Sequence, residues 1–363
     1  MLDTDLLTRQ VLSNCDISDA AHAGLFSICG LALRLRDLYK WEHRLAPWIE
    51  KDTAEILDWI GAKEQLWEAV AENKFCDLSV NGSAFKPFEV DRINRALEPH
   101  GLFYGAGYAH SLKPTFLLAK ITEILELNGF KVVVLGRELA RDLLTLPALT
   151  QLDTILMRTE AARLYLWDQI SYIKKSGRPA LSYALNRCGV SGGDPEQVRQ
   201  QLDHLLEIQK ESFIFHEIGE LSDTVFKRRT WQEIIAAHPR SPVELVARVL
   251  KDLLADTDPS GTLARIIQRH NEPALAFYAA FLDGLNREFF PEMRVAFQLF
   301  TQDRDWGLIE QAVGAGRKRV AEYTGMLMDF YRSGREGKKG PKWVVAQVEK
   351  HILEKVHAKS ADA

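Results

Sequence analysis

Residues 195 to 226 read PEQVRQQLDHLLEIQKESFIFHEIGELSDTVF and carry a long helical pattern. On a helix that turns about 100° per residue, one face is mostly apolar and the other is charged. The first face carries Leu202, Leu205, Leu206, Gln209, Phe213, His216 and Glu220. The second face carries Asp203, His204, Glu207, Lys210 and Glu211. The pattern therefore predicts an amphipathic helix that turns an imidazole and a carboxylate toward a helical core.

The cluster Ser191-Gly-Gly-Asp-Pro195 stands before this helix and predicts a domain boundary. Downstream of it the sequence shows helix start signals, among them the capping boxes that begin at Thr230 and Ser241. We find no strand pattern in this half. The sequence predicts an all-α domain over residues 194–331, a basic linker over 332–342 and a C-terminal helix over 343–358.

Residues 1–190 are predicted to form a helical domain with one small β/α/β unit at about 75–136. Asn81-Gly82 is a turn signal, and the stretches LFYGAGY and FKVVVLG are typical of strands. The stretch PTFLLAKITEILELNG between them is predicted to be a crossover helix that makes the two strands parallel. The fold class expected is mainly α, within the α+β class.

The composition of the 363 residues is ordinary for a globular protein, with 46% hydrophobic and 26% charged residues. A formal net charge of −4 gives no preference for an acidic or a basic partner. The four cysteines form no C-x-x-C pair, and the N-terminus lacks the basic start of a signal peptide. We expect a cytoplasmic protein without a membrane span. The basic runs have no nucleic-acid motif around them, whereas a protein partner is compatible with the sequence.

The inward-facing His216 and Glu220 lie one helical turn apart and form a candidate metal site. Glu217 lies at the margin of the same face, and Gly219 would let a neighbouring backbone approach. A second predicted helix, residues 274–289, places Glu288 on its apolar face. Imidazole and carboxylate ligands suit iron, manganese or zinc, and a helical bundle commonly holds such ions. The competing interpretation is a buried polar network that only fixes helix packing.

A second candidate site is the stretch from Tyr104 to Thr115, predicted to join a strand to a helix N-terminus, where free N–H groups favour an anion. The residues expected to contact a phosphate there are Gly105, Gly107, His110, Ser111 and Lys113. The stretch is neither a P-loop nor a dinucleotide fingerprint. A structural turn beneath a helix is the alternative.

Three stretches resemble a bacterial family that has an N-terminal and a C-terminal domain of unknown function. They are FCDLSVNGSAFKPFEVDRINRALEPHGLFYGAGYAHSLKPTFLLAK from residue 75, VVVLGRELARDLL from residue 132, and FIFHEIGE from residue 213. The resemblance extends over most of the chain and implies a bacterial origin. It supplies no catalytic residues.

Three functions are consistent with the sequence. The first is a metal centre in the C-terminal domain that supports hydrolysis or oxidation. The second is a non-catalytic binding or scaffold protein in which the His/Glu cluster is structural. The third is a sensor of a phosphate-bearing ligand at residues 104–115.

Overall fold

The computed structural model describes residues 2–109, 112–337 and 339–361. The chain divides into two compact units, Met1–Asp168 and Gln169–Ala363. The first unit combines helices with two sheets, and the described residues of the second form helices joined by turns, without a strand. The predicted fold class, mainly α with a β-containing N-terminal part, is confirmed.

The helices of the N-terminal unit flank a small and a larger sheet. They are α1 (Thr4–His22), α2 (Ile28–Glu42), α3 (Thr53–Val70) and α4 (Val90–Leu97), and α5 (Thr159–Ser171) follows the last strand. Asp52 caps α3, as its position predicts, because its Oδ1 accepts a hydrogen bond of 2.7 Å from the backbone N–H of Ala54. One apolar core forms where α1 packs on the larger sheet, with Leu7 and Val11 beside Leu118.

The strands are β1 (Leu78–Val80), β2 (Ser83–Phe85), β3 (Leu102–Ala109), β4 (Lys113–Leu127), β5 (Phe130–Arg141), β6 (Ala148–Gln151) and β7 (Thr154–Arg158). β1 pairs with β2, and the five-stranded sheet has the order β3-β4-β5-β7-β6. Within it only β5 and β7 are parallel, and the other neighbours are antiparallel. The β1–β2 and β4–β5 hairpins turn at Asn81-Gly82 and Asn128-Gly129, where all four residues have positive φ. Asn-Gly turns of this kind match the twist of antiparallel strands.

The predicted crossover helix between residues 114 and 129 is wrong, because these residues form β4. The middle of β4 is buried on both faces: Leu117 packs with Phe103 and Val133, whereas Phe116 and Leu118 belong to a different core. A strand buried on both sides has a continuous apolar run, which cannot be told from a helix by periodicity alone. The predicted parallel β/α/β unit is therefore replaced by an antiparallel meander.

Six charged side chains are buried together in this unit, and we call them the N-terminal charge network: Asp19, Lys113, Glu138, Arg141, Asp142 and Arg158. The Nζ atom of Lys113 lies 2.9 Å from Asp19 Oδ1 and 3.0 Å from Asp142 Oδ2. The Nε atom of Arg158 lies 2.6 Å from Glu138 Oε1. Three formal positive charges thus face three formal negative charges.

The C-terminal unit is built from helices of very different length. They are α6 (Arg178–Arg187), α7 (Pro195–Ser222), α8 (Arg228–Ala237), α9 (Pro242–Asp256), α10 (Thr262–Arg269), α11 (Glu272–Phe281), α12 (Gly284–Phe289), α13 (Pro291–Asp303), α14 (Trp306–Glu336), α15 (Gly340–Val348) and α16 (Glu354–Ala361). Ser241 caps α9, as predicted, and Asp194 caps α7. The capping box at Thr230 is wrong, because α8 already begins at Arg228.

The unit boundary lies at Asp168, before the predicted boundary at residues 190 to 194. The reason is that α6 packs against α11 and so belongs to the C-terminal unit. The predicted basic linker is partly helical, since α14 extends to Glu336 and α15 begins at Gly340. A π-helical segment, Glu349–Leu353, joins α15 to α16. Across the residues that the structure describes, no helix has both the length and the apolar composition to cross a membrane.

Candidate metal centre

Two helices of the C-terminal unit, α7 and α9, approach each other closely at one glycine. A Cβ atom added to Gly219 would lie 2.1 Å from the carbonyl oxygen of Ala255, so no larger residue fits there without a shift of the backbone. The helices run antiparallel, because His216 pairs with Asp256 and Asp223 pairs with Lys251. The predicted role of Gly219, to admit a neighbouring backbone, is confirmed.

This close approach gathers ionisable side chains from both helices. One ring nitrogen of His216 and one carboxylate oxygen each of Glu220 and Asp252 all lie within 4.8 Å of one another. Asp256, one turn beyond Asp252 on α9, places its Oδ1 2.8 Å from His216 Nδ1. We call these four residues the His216 cluster.

The His216 cluster is stabilised by a hydrogen bond from a neighbouring residue and remains partly exposed to solvent. The hydroxyl of Thr262 donates a hydrogen bond of 3.0 Å to Asp256 Oδ1 and so orients that carboxylate. The side chain of His216 keeps 29% of its surface exposed, and that of Asp256 keeps 15%. Glu220 and Asp252 are also only partly buried. An ion or a water molecule can therefore reach the donor atoms.

The charges within the cluster shift the pKa values of His216 and Asp252. Burial alone would lower the pKa of His216, but the charge and hydrogen bond of Asp256 raise it well above its ordinary value. The charges of Asp252 and Glu220 act in the same direction. Burial raises the pKa of Asp252 to about 7; the His216 charge lowers it, whereas Glu220 and Asp256 add to the rise. The cluster thus sets three carboxylates against one imidazole, and the positive charge of Arg248 also acts on Asp252.

A tyrosine from α11 lies in the same electrostatic environment. Burial raises the pKa of Tyr278 well above its ordinary value, and the nearby carboxylates of Asp256 and Asp252 raise it further. Its hydroxyl therefore stays protonated at neutral pH. It adds a neutral polar group beside the carboxylates of α9.

The donor set has the composition of a transition-metal site. Imidazole together with carboxylates suits iron, manganese or zinc. The bond from His216 Nδ1 to Asp256 leaves Nε2 for a metal, and a carboxylate on the other ring nitrogen is the common arrangement around metal-bound histidines. Three protein donors leave coordination positions for water or a substrate.

The structure brings together two of the four residues predicted as metal ligands, His216 and Glu220. Glu217 is partly buried on α7 and is not among the donors within 4.8 Å. Glu288 instead accepts a bond of 2.6 Å from His357 of α16. The predicted helix over residues 274–289 is broken between α11 and α12, so the helical phase that turned Glu288 inward is lost.

Asp252 and Asp256 were not predicted as site residues from the sequence. They lie one turn apart on α9, as His216 and Glu220 do on α7, and this matching spacing was the available signal. The pattern of α9 reads as a regular amphipathic helix with its charges outside. Only the pairing of α9 with α7 shows that these two carboxylates face inward.

The predicted anion-binding loop has a different structure. Its described part is a β3–β4 hairpin, in which Gly105 packs against Leu117 and no helix N-terminus follows Lys113. Lys113 is fully buried between two carboxylates and so is not available to a phosphate. Gly107 lies in β3 with open space where a side chain would be. His110 and Ser111 lie outside the described residues.

Comparison with known proteins gives a family but no activity. Residues 6–158 match the N-terminal domain, and residues 163–351 the C-terminal domain, of a family of unknown function (DUF6866). No curated protein and no solved structure matches the chain. The junction between the two matched domains lies close to the unit boundary at Asp168. The chain therefore belongs to the DUF6866 family, as the resemblance in its sequence predicted.

Proposed function

We propose that the C-terminal unit binds one divalent transition-metal ion, iron, manganese or zinc, through His216, Glu220 and Asp252. Asp256 orients the imidazole as a second-layer partner. The observation that carries this proposal is the convergence of three donor atoms from two helices to within 4.8 Å of one another. This conclusion extends the metal hypothesis of the sequence and replaces Glu288 with Asp252.

The spacing of the donors supports an ion of this size. Metal bonds to imidazole nitrogen and carboxylate oxygen are about 2.0 to 2.2 Å long, so donors arranged tetrahedrally around one ion lie about 3.3 to 3.6 Å apart. The three donor atoms of the cluster lie within 4.8 Å of one another. Binding of an ion would therefore draw these side chains closer together by up to about 1.5 Å.

The charge of the cluster supports a cation. Glu220, Asp252 and Asp256 offer three carboxylates against one imidazole. Uncompensated carboxylates in a partly buried site are destabilising, and they are relieved either by protons or by a bound cation. A divalent ion would have to displace two protons, the one on Nε2 of His216, whose pKa is raised, and the one that Asp252 holds near neutral pH, and it would balance the remaining charge.

The chemistry open to such a centre is metal-assisted hydrolysis or oxidation. A bound ion would act as a Lewis acid and lower the pKa of a coordinated water. With an ion bound, His216 would serve as a neutral ligand through Nε2, and the bond from Nδ1 to Asp256 would orient the ring. The partial exposure of the cluster leaves a route for a substrate.

Metal analysis tests the proposal. Protein purified without a histidine tag and without chelator should contain close to one equivalent of iron, manganese or zinc by mass spectrometry of its metals. His216→Ala and Asp252→Asn should lose that content while the circular dichroism spectrum stays helical. The matched control is His204→Ala, because His204 is exposed on the same helix. Metal-free wild-type protein that does not take up any of the three ions on titration would refute the proposal.

The competing function is a non-catalytic binding or scaffold protein, and the bond from His216 to Asp256 favours it. A protonated imidazole paired with that carboxylate would fix α7 against α9 without an ion. In that case His216→Ala lowers the free energy of unfolding in metal-free buffer, and no metal is ever found. The two functions are thus separated by metal content measured together with stability.

A further inference from the structure

A cavity separate from the His216 cluster lies within the C-terminal unit. It has a volume of about 460 Å³ and is bordered by α6, α11, α12 and α13. Pockets that bind small organic molecules have volumes of about 300 to 1,000 Å³. None of the four residues of the His216 cluster lines it.

The walls of the cavity are mainly apolar. The apolar side chains that line it are Pro179, Ala180, Ala279, Leu282, Met293 and Phe297. An apolar recess of this size in contact with water favours a ligand with a hydrocarbon body, because burial of that body removes both apolar surfaces from water. The two alanines keep the space open, since larger residues at these positions would fill it.

One charged group in the wall has no partner among the residues that the structure describes. Arg287, on α12, lines the cavity, is partly buried, and makes no side-chain hydrogen bond or ion pair with another described residue. A second arginine, Arg294, lines the cavity from α13. No acidic side chain is among the described residues that line the cavity. The charged side chains among these residues are therefore both cationic.

We propose that this cavity binds a small organic monocarboxylate whose apolar body occupies the recess and whose carboxylate pairs with Arg287. The guanidinium group presents two parallel N–H donors that match the two oxygens of a carboxylate. A cationic ligand is disfavoured by Arg287, and a neutral hydrocarbon would leave Arg287 without a partner among the described residues. This proposal is independent of the metal centre.

Calorimetric titration tests the proposal with two probes, each of which has a carboxylate and an apolar body. Decanoate represents an aliphatic body and 2-naphthoate an aromatic one, and decanol and 2-naphthalenemethanol are their uncharged counterparts. At least one carboxylate should bind with a 1:1 stoichiometry and at least tenfold more tightly than its alcohol. The comparison of the two carboxylates identifies which kind of body the recess accepts.

Variants assign the binding to this cavity. Arg287→Met should weaken carboxylate binding by about 10- to 100-fold, the range expected for a charge-assisted hydrogen-bonded pair. Arg178→Met is the matched control, because Arg178 is exposed on α6 and does not line the cavity. Ala180→Phe should abolish binding by filling the recess. Gln298→Trp fills it from the exposed rim, and so tests the same point even if Ala180→Phe does not fold.

The proposal is overturned if neither carboxylate binds at millimolar concentration, or if each binds no more tightly than its alcohol. It is also overturned if Arg287→Met binds as the wild type does, or if both cavity-filling variants retain full affinity. Unchanged helical circular dichroism in Arg287→Met and Gln298→Trp is required for a loss of binding to count in its support.

Discussion

Both units enclose a group of ionisable side chains, and the two groups differ in charge balance and in exposure. In the N-terminal charge network, Lys113 lies between Asp19 and Asp142, and Arg158 lies against Glu138, all with side chains at most 2% exposed. Each charge has an opposite charge beside it. Such a network fixes how the elements around it pack, because every alternative arrangement would leave a buried charge unpaired.

The His216 cluster lacks this balance. It sets three carboxylates against one imidazole, and the His216 side chain keeps 29% of its surface exposed. The pKa values do not distinguish the N-terminal charge network from the His216 cluster, because burial raises the pKa of both Asp19 and Asp252 to about 7. The number of opposite charges and the exposure to solvent do distinguish them. A closed and neutral network is structural, whereas an open and negative cluster is suited to a cation.

The largest expected effect is in the N-terminal charge network. Lys113→Met leaves two carboxylates facing each other without a cation, and removal of one partner from a buried ion pair destabilises a protein by about 3 to 5 kcal/mol. The free energy of unfolding from urea titration measures this. Lys120→Met, on the exposed face of the same strand, should change it by less than about 0.5 kcal/mol. Equal effects of the two substitutions would mean that the network is not structural.

Gly219→Ala tests how the helix approach builds the His216 cluster. The added methyl group overlaps the Ala255 carbonyl oxygen, so we expect a loss of about 1 to 3 kcal/mol in stability and weaker metal uptake as α7 and α9 separate. Gly325→Ala in α14 is the control, since a Cβ there has no neighbour within 4 Å. It should stabilise the helix by about 0.5 to 1 kcal/mol. Equal stability of Gly219→Ala and Gly325→Ala would contradict a close approach of α7 and α9 at Gly219.

Asp256→Asn separates the two interpretations of the His216 cluster. If Asp256 orients a metal-bound imidazole, the substitution should lower metal affinity by about 10- to 100-fold, as second-layer changes do. Competition with a chromogenic chelator measures that affinity. Asp303→Asn, at an exposed position of α13, should have no effect. A loss of stability in metal-free buffer with unchanged metal affinity would favour the structural interpretation.

The last prediction concerns the pH dependence of the N-terminal charge network. Burial raises the pKa of Asp19 to about 7, because Lys113 offsets only part of that penalty and Asp142 adds repulsion. Its ordinary value is 3.8, so between about pH 4 and pH 7 the folded state retains a proton that the unfolded state has lost. The stabilisation from this proton is full below pH 4 and declines as the pH rises to 7. As the pH rises from 4 to 7, the wild type should therefore lose unfolding free energy relative to Asp19→Asn. A difference between the two proteins that stays constant over this range would contradict the raised pKa of Asp19.

The helical part of the fold was predictable where the signals are local. Asp194 and Ser241 begin helices because a capping side chain acts within its own turn. Strand β4 was not predictable, because its centre is buried on both faces and its ending, Asn128-Gly129, serves a helix stop and a hairpin turn equally well. The same sequence signal has two structural meanings, and the neighbouring strands decide between them.

Of the two helices that form the candidate site, only α7 has site residues that could be predicted from the sequence. His216 and Glu220 follow from the periodicity of α7, and Gly219 from its position between them. Asp252 and Asp256 come from α9, and nothing in one sequence states which helix faces which. The prediction of Glu288 as a ligand was wrong, because the helix expected to carry it ends at Phe281. Sequence periodicity therefore gave half of the His216 cluster, and tertiary pairing gave the other half.

The most direct measurement is an anomalous difference map from crystals of the wild-type protein grown with Mn²⁺. The account predicts one strong peak in the C-terminal unit, bonded to His216, Glu220 and Asp252, with Asp256 on the far side of the imidazole. Maps without a peak among these well-ordered side chains, from crystals grown with Mn²⁺ and from crystals grown with Fe²⁺ and with Zn²⁺, would contradict it.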